Sequence, residues 1–249
     1  MLFRSGSGIG AATARALAAA GATVSLAGRR MDPLHEVAST LGGRSGALVS
    51  LDVGDEASVR AGVTEVERTA APIDILVNNA GQAQSAPFER LGRAQWDEML
   101  RVNLTGVFHM TSAILPGMAA RGRGRVINVA STAGLTGYSY VAAYVAAKHG
   151  VVGLTRALAL EYAGRGVTVN AVCPGFTDTP LVERSVAVIS AKTGRSADEA
   201  RSALSKSNPQ GRLVHPEEVG DVVAWLASPG AGAINGQAIA VAGGEVMTG

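Results

Sequence analysis

Short apolar runs alternate with helix-length segments along most of this chain, and that alternation restricts its fold more than any other feature. Thr23–Ala27 reads as a strand, a helix follows over about Pro33–Leu41, and Ala47–Leu51 reads as the next strand. A helix over about Asp55–Ala70 leads to strand Ile73–Val77. A long helical segment, about Gln95–Met118, leads to strand Arg125–Val129. A helix ending near Tyr162, strand Val167–Val172, helix Pro216–Ala227 and strand Ala238–Val241 complete the series. Strands separated by helices of this size build βαβ units, so the spacing predicts one doubly wound α/β domain over residues 1–249. Its parallel sheet has about six to seven strands, with helices on both faces. In such a sheet ligands bind beyond the carboxyl ends of the strands, where Asp52, Asn78 and Gly81 fall.

The section from about 177 to 212 breaks the pattern. It is polar and rich in Ser, Ala and Lys, and it reads as a substrate lid holding one or two short helices. No apolar run is long enough to cross a bilayer, and a net charge of +2 without a basic run gives no sign of nucleic-acid or membrane binding. The lone cysteine, Cys173, suits a reducing compartment and reads as a small core residue, so the expected setting is cytoplasmic. The four histidines lack metal-ligand spacing, and no metal site is expected.

Two stretches carry cofactor chemistry. Ser5-Gly6-Ser7-Gly8-Ile9-Gly10 runs directly into an alanine-rich helix, and a glycine loop at a helix N-terminus offers backbone N–H groups and a positive dipole end to phosphate. Gly6-x-Gly8-x-x-Ala11 fits the dinucleotide fingerprint of a Rossmann-like fold. After the strand at Thr23–Ala27, where an acid would accept from a ribose 2′-hydroxyl, stand Gly28, Arg29 and Arg30. A guanidinium suits a 2′-phosphate, so NADP(H) is favoured over NAD(H).

A third stretch carries proton chemistry. Tyr144 and Lys148 stand four apart among good helix formers, which puts both on one helix face. The ammonium favours the phenolate and lowers a tyrosine pKa that is ordinarily ~10. Ser131 follows the strand ending at Val129, where its hydroxyl could share a carbonyl oxygen with the tyrosine. Asn103 sits in mid-helix, where Asn is disfavoured, and suggests a kink or a specific partner.

Taken together, SGSGIG, LDV (Leu51–Val53), NNAG (Asn78–Gly81), RVNLTG, INVAS, YVAAK (Tyr144–Lys148), NAVCPG (Asn170–Gly175) and GQAIAVAGG resemble the short-chain dehydrogenase/reductase family, 3-oxoacyl-reductase-like type, across essentially the whole chain. The resemblance implies an NAD(P)-dependent oxidoreductase interconverting a ketone and a secondary alcohol, with a 3-oxoacyl or 3-hydroxyacyl thioester among the substrates considered. It implies Tyr144 as general acid/base, Lys148 as its pKa modulator and ribose ligand, Ser131 on the substrate oxygen, and Asn103 positioning a water. Cofactor contacts would come from Ser7, Gly8, Ile9, Gly10 and Arg29, from Asp52, Val53, Asn79, Ala80 and Gly81, and from Tyr144, Lys148, Pro174, Gly175 and Thr177. The family is commonly a homotetramer or homodimer.

One departure stands out. Aligning Gly8-Ile9-Gly10 with the family puts Phe3 and Arg4 where a threonine and a glycine usually stand, with only Met1 and Leu2 before them. Either the natural chain starts upstream of Met1, or a short remnant fills the central strand's place poorly. An empty place would hold the flanking strands ~9.6 Å apart with unpaired backbone groups. The loop before Gly8 is therefore expected to be displaced and cofactor binding weakened. From this comes a rival reading: a catalytically silent relative acting as a scaffold or subunit.

Overall fold

A computed structural model describes residues 1–3 and 6–247. Seven strands form one parallel sheet: β1 (Leu2–Phe3), β2 (Val24–Gly28), β3 (Ser45–Ser50), β4 (Ile75–Asn78), β5 (Gly124–Val129), β6 (Val167–Pro174) and β7 (Ala238–Val241). Their order is β3-β2-β1-β4-β5-β6-β7, so the winding reverses between β1 and β4, and the crevice of the fold opens there.

The helices are α1 (Gly8–Ala19), α2 (Met31–Ser39), α3 (Glu56–Thr69), α4 (Arg93–Leu100), α5 (Gly106–Ala120), α6 (Ala142–Tyr162), α7 (Pro180–Thr193), α8 (Ala197–Ser205) and α9 (Pro216–Ala227). Successive strand residues point to opposite faces, and the core divides accordingly. Leu26, Val77 and Ile127 pack with Leu17 of α1, Leu34 of α2 and Val223 of α9. Their neighbours Ala27, Leu76 and Val126 pack with Val63 of α3 and with Met110, Ile114 and Met118 of α5. Gly220 lets α9 approach α1 closely, since a Cβ there would lie 3.0 Å from the carbonyl carbon of Ala12.

The first strand is a two-residue remnant, and it pairs with both of its neighbours. Leu2 and Phe3 pair in parallel with Leu26 and Ala27, and Leu2 also pairs with Val77. The Met1 amine donates to the Ile75 carbonyl at 2.6 Å, and Val77 N donates to the Met1 carbonyl at 3.0 Å. Arg4 and Ser5, on which the displaced loop was expected to turn, lie outside the described residues.

Two further departures have local causes. The long helical segment is broken by one π-helical turn, Arg101–Thr105, centred on Asn103. The lid section contains two helices. Pro180 opens α7 at a position needing no N–H bond, Gly194 closes it at φ 72°, and a Ser196/Glu199 capping box opens α8. Among the described residues no helix is long and apolar enough to cross a membrane, and no cluster of His, Cys, Asp or Glu could hold a metal ion.

Candidate active site

Ser131 follows β5, and its Oγ accepts from Ala133 N at 3.1 Å, capping a short 3-10 turn over Thr132–Gly134. That turn lies directly on α6: a Cβ on Gly134 would come within 2.8 Å of the Lys148 carbonyl oxygen. The Ser131 end of β5 is thereby held at the level of Lys148. The lysine is 3% exposed, its Nζ donates to the Val129 carbonyl at 2.9 Å, and it stands 5.7 Å from the centre of the Tyr144 ring. A buried ammonium is costly, and it is stabilised by a carbonyl acceptor and by a nearby phenolate.

Asn103 is wholly buried. Its Nδ2 donates to the carbonyls of Gln82 and Met99, both at 2.9 Å, and its Oδ1 accepts from Gln82 N at 3.1 Å. The partner suggested by its awkward helical position is therefore the strip after β4. Gly81 begins that contact. A Cβ on it would lie 3.1 Å from Asn103 Oδ1 and 3.6 Å from Lys148 Nζ, so Gly81, Asn103 and Lys148 meet at one point. Asn79 and Ala80 lead into it, half-buried, while Asn78 is spent on the core. The Asn78 amide donates to Asn128 Oδ1 at 2.9 Å and to Thr111 Oγ1 at 3.2 Å, and Asn128 in turn donates to Thr155 Oγ1 at 2.9 Å.

Asp52 follows β3. Its Oδ1 accepts from Gly54 N at 2.9 Å and its Oδ2 from Arg101 at 3.2 Å, while Val53 is buried. Arg101 is gripped by Glu98, Nε to Oε2 at 2.7 Å, and Glu98 Oε1 accepts from Gln82 Nε2 at 2.8 Å. Arg101 holds the Glu98 carboxyl below the usual carboxylate range. A continuous polar chain thus runs from Asp52 through Arg101, Glu98 and Gln82 to Asn103. Nothing in the local sequence announces it, because its members come from three separate segments.

The candidate cofactor residues share this same edge of the sheet. Ser7 caps α1 in extended geometry without a side-chain bond to the helix, and the first turn holds no acidic residue. Among the described residues no side chain caps the leading N–H groups at Gly8, Ile9 and Gly10, which suits them to an anion. Gly8 has φ +53°, and a Cβ on it would lie 2.9 Å from Thr179 Cγ2. This uncapped helix start and its bare glycine fit a dinucleotide pyrophosphate. Arg29 stands exposed just past β2. Pro174 is buried at the end of β6, and Gly175 N donates to the Val241 carbonyl at 3.1 Å. Thr177 is buried, bridges Val214 and donates to the Gly175 carbonyl at 3.0 Å. The threonine facing Gly8 is Thr179, which sequence reasoning passed over although the following Pro180 marks it as the cap of α7.

Tyr138 and Glu245 were also missed. The Tyr138 hydroxyl is 2.7 Å from Glu245 Oε1 and 2.8 Å from Thr132 Oγ1, and its ring meets Phe176 edge-on at 6.1 Å. Burial pushes its pKa well above the ordinary tyrosine value. Cys173 is fully buried, and burial pushes its thiol up to about 11, as expected for a core residue.

A family model described as enoyl-(acyl carrier protein) reductase matches residues 4–245. The chain belongs to the short-chain dehydrogenase/reductase family. This family membership makes it an NAD(P)-dependent oxidoreductase. It is 41% identical over 242 residues to a granaticin polyketide synthase putative ketoacyl reductase of Streptomyces violaceoruber, covering 96% of this chain and 89% of that one. It is 37% identical over 244 residues to a 3-oxoacyl-[acyl-carrier-protein] reductase of Thermotoga maritima, covering 97% and 94%. Among solved structures, a variant actinorhodin polyketide ketoreductase with NADPH aligns with a TM-score of 0.94 at 38% identity, covering 98% of this chain and 95% of that one.

Proposed function

We propose that this short-chain dehydrogenase/reductase interconverts a ketone and a secondary alcohol, with Tyr144 as general acid/base, and that it uses NADP(H) in preference to NAD(H). The observation that carries this reading is the buried Lys148, its Nζ fixed on the Val129 carbonyl and 5.7 Å from the Tyr144 ring. When bound, the nicotinamide dinucleotide supplies or accepts the hydride.

In the reducing direction negative charge grows on the carbonyl oxygen. Tyr144 hands that oxygen its phenolic proton, and Lys148 stabilises the phenolate left behind. Ser131 Oγ already accepts from Ala133 N, so its own hydrogen can donate to the same oxygen. Asn103 keeps the Gln82 strip closed against the π-helical turn, and Gly81 leaves room for a ligand beside Lys148. The N–H groups at Gly8–Gly10 would hold the pyrophosphate, Asp52 the adenine end and Arg29 a 2′-phosphate. The names of the relatives support a 3-oxoacyl thioester as substrate. Of the lid cations that could meet a carrier's phosphate, Arg201 is already bound to Asp178 and Glu183, and Arg212 to Glu218.

The test is reduction of a 3-oxo thioester and of simple ketones with each cofactor, in the parent protein and in Tyr144→Phe. Turnover is expected in the parent alone, with NADPH bound about equally by both. Turnover surviving in the Phe variant would remove Tyr144 from its role.

A further inference from the structure

Tyr140 is the only non-glycine residue with positive φ among the described residues, at 68°. That conformation crowds a side chain against its own backbone, and bulky residues adopt it only where the surroundings or a function enforce it. Packing does not enforce it here, because Tyr140 is 66% exposed. One hydrogen bond ties it down. Its carbonyl accepts from Ala86 N at 2.8 Å, joining the loop that precedes α6 to the loop that follows β4.

Two residues beyond Ala86, Phe88 is 75% exposed. Two large aromatic side chains therefore stand in solvent on two loops stitched together at Ala86 and Tyr140. The same loops lead into the candidate chemistry: Gly81 and Gln82 lie at the root of one, and Tyr144, in the first turn of α6, stands four residues past Tyr140 on the other. Within the Tyr138-Ser139-Tyr140 triplet the two rings part, Tyr138 inward to Glu245 and Tyr140 outward.

The geometry points to Tyr140 and Phe88 as a specificity-determining aromatic platform at the cleft mouth, one that stacks on a planar aromatic or polycyclic part of the substrate. This rests on the ketone-reductase reading above. Aromatic faces attract other ring systems, and a strained ring held out in water is retained where contact with a ligand offsets its cost.

The experiment compares two 3-oxo esters differing only in the group on the reacting ketone, ethyl acetoacetate and ethyl benzoylacetate. The variants are Tyr140→Asn, which tolerates the left-handed conformation, and Tyr140→Phe, which keeps the ring. In Tyr140→Asn the KM for the benzoyl ester, relative to that for the acetyl ester, should rise about five- to tenfold, the size of one lost aromatic contact. Its melting temperature should not fall. Tyr140→Phe should keep the parental KM ratio. A ratio unmoved in Tyr140→Asn, or a lowered melting temperature there, overturns the platform and leaves Tyr140 a packing residue. If the parent reduces neither these esters nor the 3-oxo thioester and simple ketones with either cofactor, the ketone-reductase reading falls and takes the platform with it.

Discussion

Replacing Asn103 with alanine removes three hydrogen bonds from a wholly buried amide: two donated, to the Gln82 and Met99 carbonyls, and one accepted from Gln82 N. Each is worth about 1 kcal/mol net, and the main-chain groups left behind carry a further desolvation penalty wherever water cannot reach them. Gln82 is half-buried, so water recovers part of its share, and the expected loss is about 3 kcal/mol. In a chain of this size that corresponds to a fall in melting temperature of roughly 6–12 °C. Urea titration gives the free energy, and amide hydrogen exchange reads the Gln82 N–H directly. Gln82 protection should collapse by more than tenfold, while protection in β5 and β6 falls only with global stability. A loss below about 1 kcal/mol with Gln82 still protected would show that the strip is held by something other than Asn103.

Lys148→Ala should weaken both turnover and NADPH affinity, the latter by fluorescence titration, whereas Tyr144→Phe weakens turnover alone. Gly81→Ala sets a methyl 3.1 Å from Asn103 Oδ1 and 3.6 Å from Lys148 Nζ, and should weaken NADPH binding several-fold in a protein that still folds. Burial lowers the Met1 amine from 8.0 to about 5, so the unfolded chain binds the extra proton between those values. Stability should then climb as pH rises from 5 to 8, by up to ~4 kcal/mol, and a chain acetylated at Met1 should lack that share of the slope in urea titrations. Cys173 should resist a thiol reagent at pH 8 until the protein is unfolded.

Much of the architecture is legible in the residues because each element is bounded by its own local chemistry. The last helix and the last strand fall where the pattern puts them, Pro216–Ala227 and Ala238–Val241, since Pro216 fixes the helix start. Asn103 is legible as an anomaly, and the π-helical turn is its physical cause. The two lid helices could have been resolved from Pro180, Gly194 and the Ser196/Glu199 pair. The first strand is too short to show any periodicity, and only its sheet partners define it. The Asp52–Arg101 contact spans 49 positions, and the Tyr138–Glu245 contact 107. No local pattern encodes either, because both depend on how the βαβ units stack.

Asn78 and Asn128 are direct partners across β4 and β5, and Gly81 and Ser131 each lie three residues further on. A slip that kept inward side chains inward would have to move one strand by two residues, about 6.6 Å, well past the reach of any amide. Misaligned chains would strand both amides in hydrocarbon, so the core itself sets the height at which the two loops emerge. The chemistry above the sheet inherits its alignment from a pair of asparagines buried beneath it.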